Sequence, residues 1–363
     1  MKAYVLEGIN QLEYKEIDKP QLSTGYVLVE VQAAGICGSD IPRIFTTGTY
    51  HFPTIPGHEF SGKVVEAFDE RGASWVGKRV GVFPLIPCQE CPSCQKENYE
   101  MCSNYNYLGS RCDGGFAEYV AVPVWNLIEL PENVSYREAA MLEPASVALH
   151  AVRRLDLSEV SSVALFGLGT IGIIIAQWLH ILGVKTVIAT GHSDRHGQVM
   201  QEVASADYIY VDARNYQSIV DDVATAQNAQ SLVDKIMELT DGAGVDAVLD
   251  CVANSESLSD ALAIVKPAGQ VVLVGNPKGD VPMDKNTYWK ILRKQIRLTG
   301  TWNSSFTHSA EDDWHMVLAE CAKGNLRLKE LITHSLPFDE LHQGLAIMKD
   351  KKGYRNKVMI VKG

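Results

Sequence analysis

Apolar positions along the chain follow two regimes. Through about residue 148 they come in short alternating segments, such as Tyr26-Val27-Leu28-Val29-Glu30-Val31 and Phe116-Ala117-Glu118-Tyr119-Val120, separated by Gly and Pro. Alternation at period two in short runs predicts half-buried strands joined by turns and loops. From about residue 160 the texture changes. Val163-Ala164-Leu165-Phe166 is a wholly apolar run, followed by a glycine turn and a mostly apolar stretch through Leu182. These read as a buried strand and a buried helix. Further strands are expected at 186–189, 208–211, 245–251, 270–274 and 296–299, with helical stretches between most of them. Alternation of this kind predicts a parallel sheet with helices on both faces. The stretch 222–235 reads as a helical face interrupted by Asn228, and Lys357-Val358-Met359-Ile360-Val361 is one more strand.

Composition narrows the class. A chain of 363 residues with 46% hydrophobic content exceeds what one core usually organises, so two domains are expected. The formal net charge of -11 argues against a nucleic-acid or anionic-membrane surface. The opening MKAYVLEGINQLEYKEID has no apolar core after its lysine, which does not fit a secretory signal. The longest apolar run, 171–184, is interrupted by Gln177 and His180 and falls short of the roughly 20 residues a membrane helix needs. A cytoplasmic protein is the expectation. Eight cysteines are too few for a disulfide scaffold, and their clustering suggests metal ligation in a reducing compartment.

Cys88, Cys91, Cys94 and Cys102 form C-x2-C-x2-C-x7-C, a spacing that lets one loop wrap four thiolates around a tetrahedral ion. A closed four-sulfur shell is expected to be a structural zinc site; an iron–sulfur site or unrelated buried thiols are the alternatives. A second set is dispersed: Cys37 in Gly35-Ile36-Cys37-Gly38-Ser39-Asp40, His58-Glu59 after Pro56-Gly57, and Glu143-Pro144. Singly, each has an ordinary explanation, a satisfied turn histidine or a helix end. Together they offer the three ligands and open position that a catalytic zinc requires.

Phe166-Gly167-Leu168-Gly169-Thr170-Ile171-Gly172 supplies G-x-G-x-x-G directly between a predicted strand and helix. Glycines there permit a tight turn, approach of a pyrophosphate to backbone amides and close helix packing. Gly167, Gly169, Thr170, Ile171 and Gly172 are therefore candidate dinucleotide contacts. An NAD site usually carries an acid about 20 residues further on, where Gly191 stands here. Without that carboxylate, Ser193, Arg195 and His192 become candidates for a 2′-phosphate, and NADP is expected over NAD. Asp194, one position on, argues the other way.

With both zinc signatures upstream of this turn, the chain resembles the zinc-dependent medium-chain alcohol and polyol dehydrogenases over essentially its whole length. The resemblance also runs through Cys37-Gly38-Ser39-Asp40-Ile41-Pro42-Arg43-Ile44-Phe45, Gly57-His58-Glu59-Phe60-Ser61-Gly62, the segment 109–119 and Ile291-Leu292-Arg293-Lys294. It implies an α/β fold: a GroES-like β-rich catalytic domain, 1–148, plus a Rossmann doubly wound parallel-sheet domain, 149–300, with 301–363 returning to the first. It implies two zinc ions per chain, the catalytic one held by Cys37 and His58 with Glu59 and Glu143 as acidic ligands. Ser39 falls where the family places the hydroxyl that receives the alcohol proton, whereas Pro42 stands where many relatives hold a relay histidine. The implied reaction is hydride transfer between a sugar-alcohol phosphate and NAD or NADP, with Arg43 on the phosphate and Lys290 or Arg293 as weaker candidates. Unphosphorylated polyols, secondary alcohols or threonine are alternative substrates, and a catalytically silent nucleotide-binding relative is the alternative outside enzymes. A homodimer or homotetramer is expected from the same resemblance. Trp302 and Asn303 could border the cofactor or a subunit contact, while Cys112, Cys251 and Cys321 read as inert thiols.

Overall fold

The computed structural model describes residues 1–216, 230–350 and 352–363. It divides into two units, Met1–Ser146 with Ser304–Gly363, and Val147–Asn303. The first is organised by the strand Tyr26–Ile36, whose apolar alternation buries Val27, Val29, Val31, Ala34 and Ile36 in one core. Antiparallel to it run Glu59–Ala67 on one side and Lys357–Val361 on the other, and Ile332–Pro337 lies beyond the latter. The sheet continues through Arg79–Val82 to Leu127–Glu129. The segment after residue 303 is bound to this unit by aromatic packing: the Phe83 ring lies 4.9 Å from that of Phe306 and 5.5 Å from that of Trp314.

One strand begins later than its alternation suggests. Tyr119–Pro123 pairs with Tyr26–Ile36, but Phe116 and Ala117 lie outside it. The reason is a competing partner: Phe116 O accepts the Tyr4 amide at 2.9 Å, and the Phe116 ring packs against Gly57.

In the second unit, six parallel strands lie in the order Ile209–Asp212, Thr186–Gly191, Ser162–Phe166, Val245–Asp250, Val265–Leu273, Arg297–Gly300. Outward from Ser162–Phe166 the chain runs one way and then the other. This is the doubly wound arrangement, whose ligands bind at the carboxyl ends of the strands where the order reverses. Val163, Ala164 and Leu165 are fully buried, which is why that strand carries no polar alternation. Of the helical face expected at 222–235, residues 222–229 lie outside the described residues; the helix Leu232–Leu239 follows, opened by a Ser231 capping box.

The glycine turn is built as its spacing requires. Gly167 has φ +91°, its amide bonds to Thr190 O at 3.0 Å, and Gly169 is the N-cap of the helix Thr170–Ile181. A Cβ on Gly172 would collide with Gly167 O, a backbone atom that cannot swing aside. Gly172→Ala is therefore expected to destabilise this unit by roughly 1–3 kcal/mol and to weaken dinucleotide binding, as read by thermal melts with and without NAD(P)H. An unchanged melt and unchanged cofactor affinity would contradict the close approach.

Candidate active site

Strand register assembles the first site. Gly35 pairs with Glu59 and Ile36 with Val358, so Cys37, Glu59 and Lys357 reach the same end of the sheet from three distant parts of the sequence. Gly57, just before His58, sits at φ +95° with Phe116 against its α-carbon, a conformation and a crowding that only glycine meets. There Cys37 Sγ, a His58 ring nitrogen and a Glu59 carboxylate oxygen lie within 4.8 Å of one another. Ligand atoms around a tetrahedral zinc sit about 3.3–3.8 Å apart, so small side-chain adjustments suffice. The donor set is one thiolate, one imidazole and one carboxylate, which suits zinc.

Asp40 orients the histidine. Its carboxylate accepts the Cys37 amide at 2.9 Å and places Oδ1 3.3 Å from His58 Nδ1, leaving Nε2 for a metal. Burial lowers the His58 pKa, but the charges of Asp40 and Cys37 and hydrogen bonds to both raise it well above its ordinary value. Burial likewise opposes ionisation of Asp40, and His58, Arg43 and the Cys37 amide hold its pKa below the usual range. A metal at this site therefore displaces a proton from His58.

The two glutamates are held differently. Glu59 Oε2 accepts from Lys357 Nζ in a fully buried ion pair. Burial works against the Lys357 charge, but Glu59 and Cys37 raise its pKa above the ordinary value. Glu143, in the first turn of the helix Leu142–Val152, lies outside the three-ligand group, and its Oε1 accepts from Tyr107 OH at 3.3 Å. Burial pushes the Glu143 carboxyl up to about 7, with His58 and Lys357 pulling the other way and Glu59 adding to the rise.

Ser39 and Arg43 complete this end of the site. The Ser39 hydroxyl donates to Cys37 Sγ at 3.2 Å and accepts from Arg43 Nη1 at 3.1 Å. The same Nη1 lies 3.3 Å from His58 Nδ1 and 3.7 Å from Asp40 Oδ1. Arg43 thus stands against the metal-ligand cluster, near the reacting end.

The four-cysteine loop is separate. Successive Sγ–Sγ distances are 3.5 Å for Cys91–Cys94, 4.0 Å for Cys94–Cys88, 3.4 Å for Cys88–Cys102 and 3.9 Å for Cys102–Cys91. Zn–S bonds of about 2.3 Å in a tetrahedron imply a spacing of about 3.8 Å. That is the spacing of a single ion, tighter than a multi-iron cluster would hold. Amides of Cys94 and Ser103 pull the Cys91 thiol down to about 5, while burial pushes Cys94 up to about 12. The loop is closed by a short ladder, Leu85–Ile86 with Asn106–Tyr107, which sets Tyr107 opposite Leu85.

At the second unit, a side chain at Gly169 would meet only open space, and the N-terminus of the helix Thr170–Ile181 has no side-chain cap. Thr170 and Ile171 open that helix, and Gly191 ends its strand. Ser193 donates its amide to Tyr210 OH at 3.0 Å. Arg195 turns along its own helix to Gln198 and Glu202, both at 3.3 Å. Arg214, just past the third strand, reaches Asp194 at 3.2 Å.

Four participants escaped sequence reading: Asp40, Tyr107, Lys357 and Arg214. Lys357 left one signal, a cation opening an otherwise apolar strand. Nothing in the sequence sets Asp40, Tyr107 or Arg214 apart from other acids, tyrosines and arginines of the chain. Among the remaining thiols, burial pushes Cys112 and Cys321 up to about 12 and Cys251 higher still, consistent with inert cysteines.

Cys94→Ser and Cys37→Ser should each remove one zinc per chain, measured by metal analysis after dialysis. Only Cys94→Ser should lower the melting temperature strongly, by a loss of about 3 kcal/mol or more. Equal melting losses would contradict the division into a closed and an open site. Zinc affinity at the Cys37 site should rise with pH until the metal-free His58 has lost its proton, as read by chelator competition; a flat profile would contradict the His58–Asp40 pairing.

Residues 23–132 match the alcohol dehydrogenase GroES-like domain family, and residues 170–323 match the zinc-binding dehydrogenase family. The chain is 30% identical to galactitol 1-phosphate 5-dehydrogenase of Escherichia coli K12 over 319 residues, 88% of each chain. It is 28% identical to sorbitol dehydrogenase of Bacillus subtilis, covering 99% of this chain and 97% of that one. The crystal structure of galactitol-1-phosphate dehydrogenase from E. coli matches with a TM-score of 0.85 at 28% identity, over 99% of this chain and 100% of that one. A GroES-like unit carrying a three-ligand cluster and a four-cysteine loop, in one chain with a Rossmann sheet, agrees with both matches: the chain belongs to the zinc-dependent medium-chain alcohol and polyol dehydrogenases.

Proposed function

We propose that this dehydrogenase interconverts a sugar-alcohol phosphate and the matching ketose phosphate, using NADP in preference to NAD. The observation that carries the reading is the Ser39 hydroxyl, held between Cys37 Sγ and the Arg43 guanidinium beside the three-ligand cluster. With zinc held by Cys37, His58 and a glutamate, the ion supplies the Lewis acidity that lowers the pKa of a substrate hydroxyl, and the nicotinamide supplies the hydride acceptor.

The chain's own residues do the rest. Ser39 has one lone pair committed to Arg43 and its proton directed at Cys37 Sγ, which leaves a lone pair to accept a hydrogen bond from the alcohol. Arg43 cannot act as a base, because a guanidinium stays charged, so it orients Ser39. Pro42 carries no basic atom, so no side chain at that position takes the proton on from Ser39. Asp40 fixes the His58 ring, and Lys357 balances Glu59.

The phosphate reading is supported by the similarity to the galactitol 1-phosphate enzyme, whereas Arg43, bound to Ser39 beside the His58–Asp40 pair, is committed to the reacting end rather than to a phosphate. The similarity to sorbitol dehydrogenase favours a second reading, an unphosphorylated polyol. The NADP preference is supported by Gly191 at the end of the second Rossmann strand and by Ser193; the two acids beside them, Asp194 and Asp212, are both paired with Arg214. Arg214 joins Arg195 as a candidate for the 2′-phosphate. A homodimer or homotetramer is supported by the edge strand Arg297–Gly300, exposed at every residue, beside the exposed Tyr288, Leu292 and Trp302. No helix among the described residues is long and apolar enough to cross a membrane.

Steady-state kinetics with sugar alcohols and their phosphates against both nicotinamide cofactors test the reading. The phosphate should raise kcat/KM at least tenfold, and NADP should exceed NAD; equal values for phosphate and free polyol, or a large NAD advantage, would overturn the respective part. Ser39→Ala should lower kcat by about 100-fold or more with zinc content unchanged, and Cys37→Ser should abolish turnover.

A further inference from the structure

Arg43 leaves a gap in the recognition of a phosphorylated substrate. Its Nη1 is engaged by Ser39 and by the His58–Asp40 pair, at the end of the substrate that reacts. A phosphate esterified several carbons from the carbinol being oxidised lies roughly 8 Å from it, given carbon–carbon bonds of about 1.5 Å. A second cation further out is needed.

The ladder that closes the cysteine loop points to one. Tyr105 immediately precedes the strand Asn106–Tyr107. Tyr107 faces the metal-ligand cluster, with its ring 5.9 Å from that of His58. The Tyr105 ring lies 6.3 Å from that of Tyr107, one step outward. Beyond it stands Arg111, its guanidinium carbon 4.2 Å from the centre of the Tyr105 ring and 4.2 Å from that of Tyr50.

This arginine is held like a receptor. Nη1 donates to Tyr105 O at 3.2 Å, while Nε is buried with no hydrogen-bond partner among the described residues. Among those residues no carboxylate pairs with it, in contrast to Arg43, which has Asp40. The two loops that carry the clamp are tied together: the Tyr50 amide donates to Ser110 O at 3.3 Å, and His51 Nε2 lies 3.1 Å from Arg111 O. A planar guanidinium stacked between two rings, with its charge unpaired, is pre-organised for a phosphate or carboxylate.

We propose that Arg111, clasped between Tyr50 and Tyr105, is the specificity residue that receives the phosphate of the substrate. The assignment rests on the sugar-alcohol phosphate reading above. A phosphate on Arg111 and a hydroxyl beside Ser39 would then bracket the carbon chain, and tyrosine rings would line the path between.

The test uses the zinc-loaded enzyme with galactitol 1-phosphate and free galactitol as paired substrates. In Arg111→Gln the KM for the phosphate should rise roughly tenfold or more with zinc content preserved. The kcat/KM ratio of phosphorylated to free substrate should fall by the same factor, and inorganic phosphate should lose potency as a competitive inhibitor. A latch that merely ties two loops together would lower both substrates alike and leave the ratio unchanged, which overturns the assignment. If the wild-type enzyme shows no phosphate preference, the substrate reading fails and the proposal falls with it. If the wild type prefers the phosphate and Arg111→Gln keeps that preference, only the Arg111 assignment fails. Should Arg111→Gln lose zinc or melt early, Arg111→Lys serves instead, keeping the charge without the planar fork. A ratio lowered severalfold in that variant supports the proposal, and an unchanged ratio overturns it.

Discussion

The pairing of three strands in fixed register is the constraint on which the catalytic half depends. Tyr26–Ile36 lies between Glu59–Ala67 and Lys357–Val361, and a slip of one residue in either pairing would send Glu59 or Lys357 to the opposite face. The ion pair between those residues is wholly buried, so neither charge has water to fall back on. Removing one partner leaves the other uncompensated, a loss usually worth several kcal/mol. Around the pair stand Cys37, Asp40, Glu59 and Glu143, with Lys357 and Arg43 as the permanent cations paired with them among the described residues. Once Cys37 is a thiolate, the cluster carries excess negative charge, which a divalent cation offsets. Sheet geometry, charge balance and metal choice are in this sense a single design.

The two cysteine-bearing sites divide labour through their donors. Four thiolates satisfy a tetrahedral ion and leave nothing open, whereas one thiolate, one imidazole and a carboxylate leave a position for substrate. They are not independent. The loop of Cys88, Cys91, Cys94 and Cys102 emerges from the short Leu85–Ile86 and Asn106–Tyr107 ladder, and Tyr107 is the donor that holds Glu143. Loosening the closed site would therefore reach the open one through Tyr107, by its hydroxyl on Glu143 and its ring beside His58.

Much of this was legible in sequence because it is local. The spacing of four cysteines, the glycine turn between an apolar strand and an apolar helix, and the run of βα units each specify their geometry within a few residues, and the structure contains all of them. What escaped was set by long-range pairing. Nothing near Lys357 says that it meets Glu59, because their proximity is a property of strand register 298 residues apart. Tyr107 reads like any alternating aromatic until the ladder turns it toward Glu143. The alternation around Phe116 predicts a strand there, but its carbonyl is taken by the Tyr4 amide and its ring by the glycine at 57. Arg43 was legible as a cation near substrate, but its bond to Ser39 depends on the one-turn helix Asp40–Pro42 and the turn that follows it.

The position of Lys357 after the Rossmann unit also orders events during synthesis. Cys37, His58 and Glu59 leave the ribosome early, yet the strand that brings their counter-charge is made after the entire Rossmann unit. Until it arrives, one edge of Tyr26–Ile36 lacks its neighbour and Glu59 has no ammonium beside it. The metal-ligand cluster thus gains its counter-charge only after the Rossmann unit has been made, so a chain interrupted between that unit and Lys357 would carry an intact dinucleotide fold and an incomplete catalytic one.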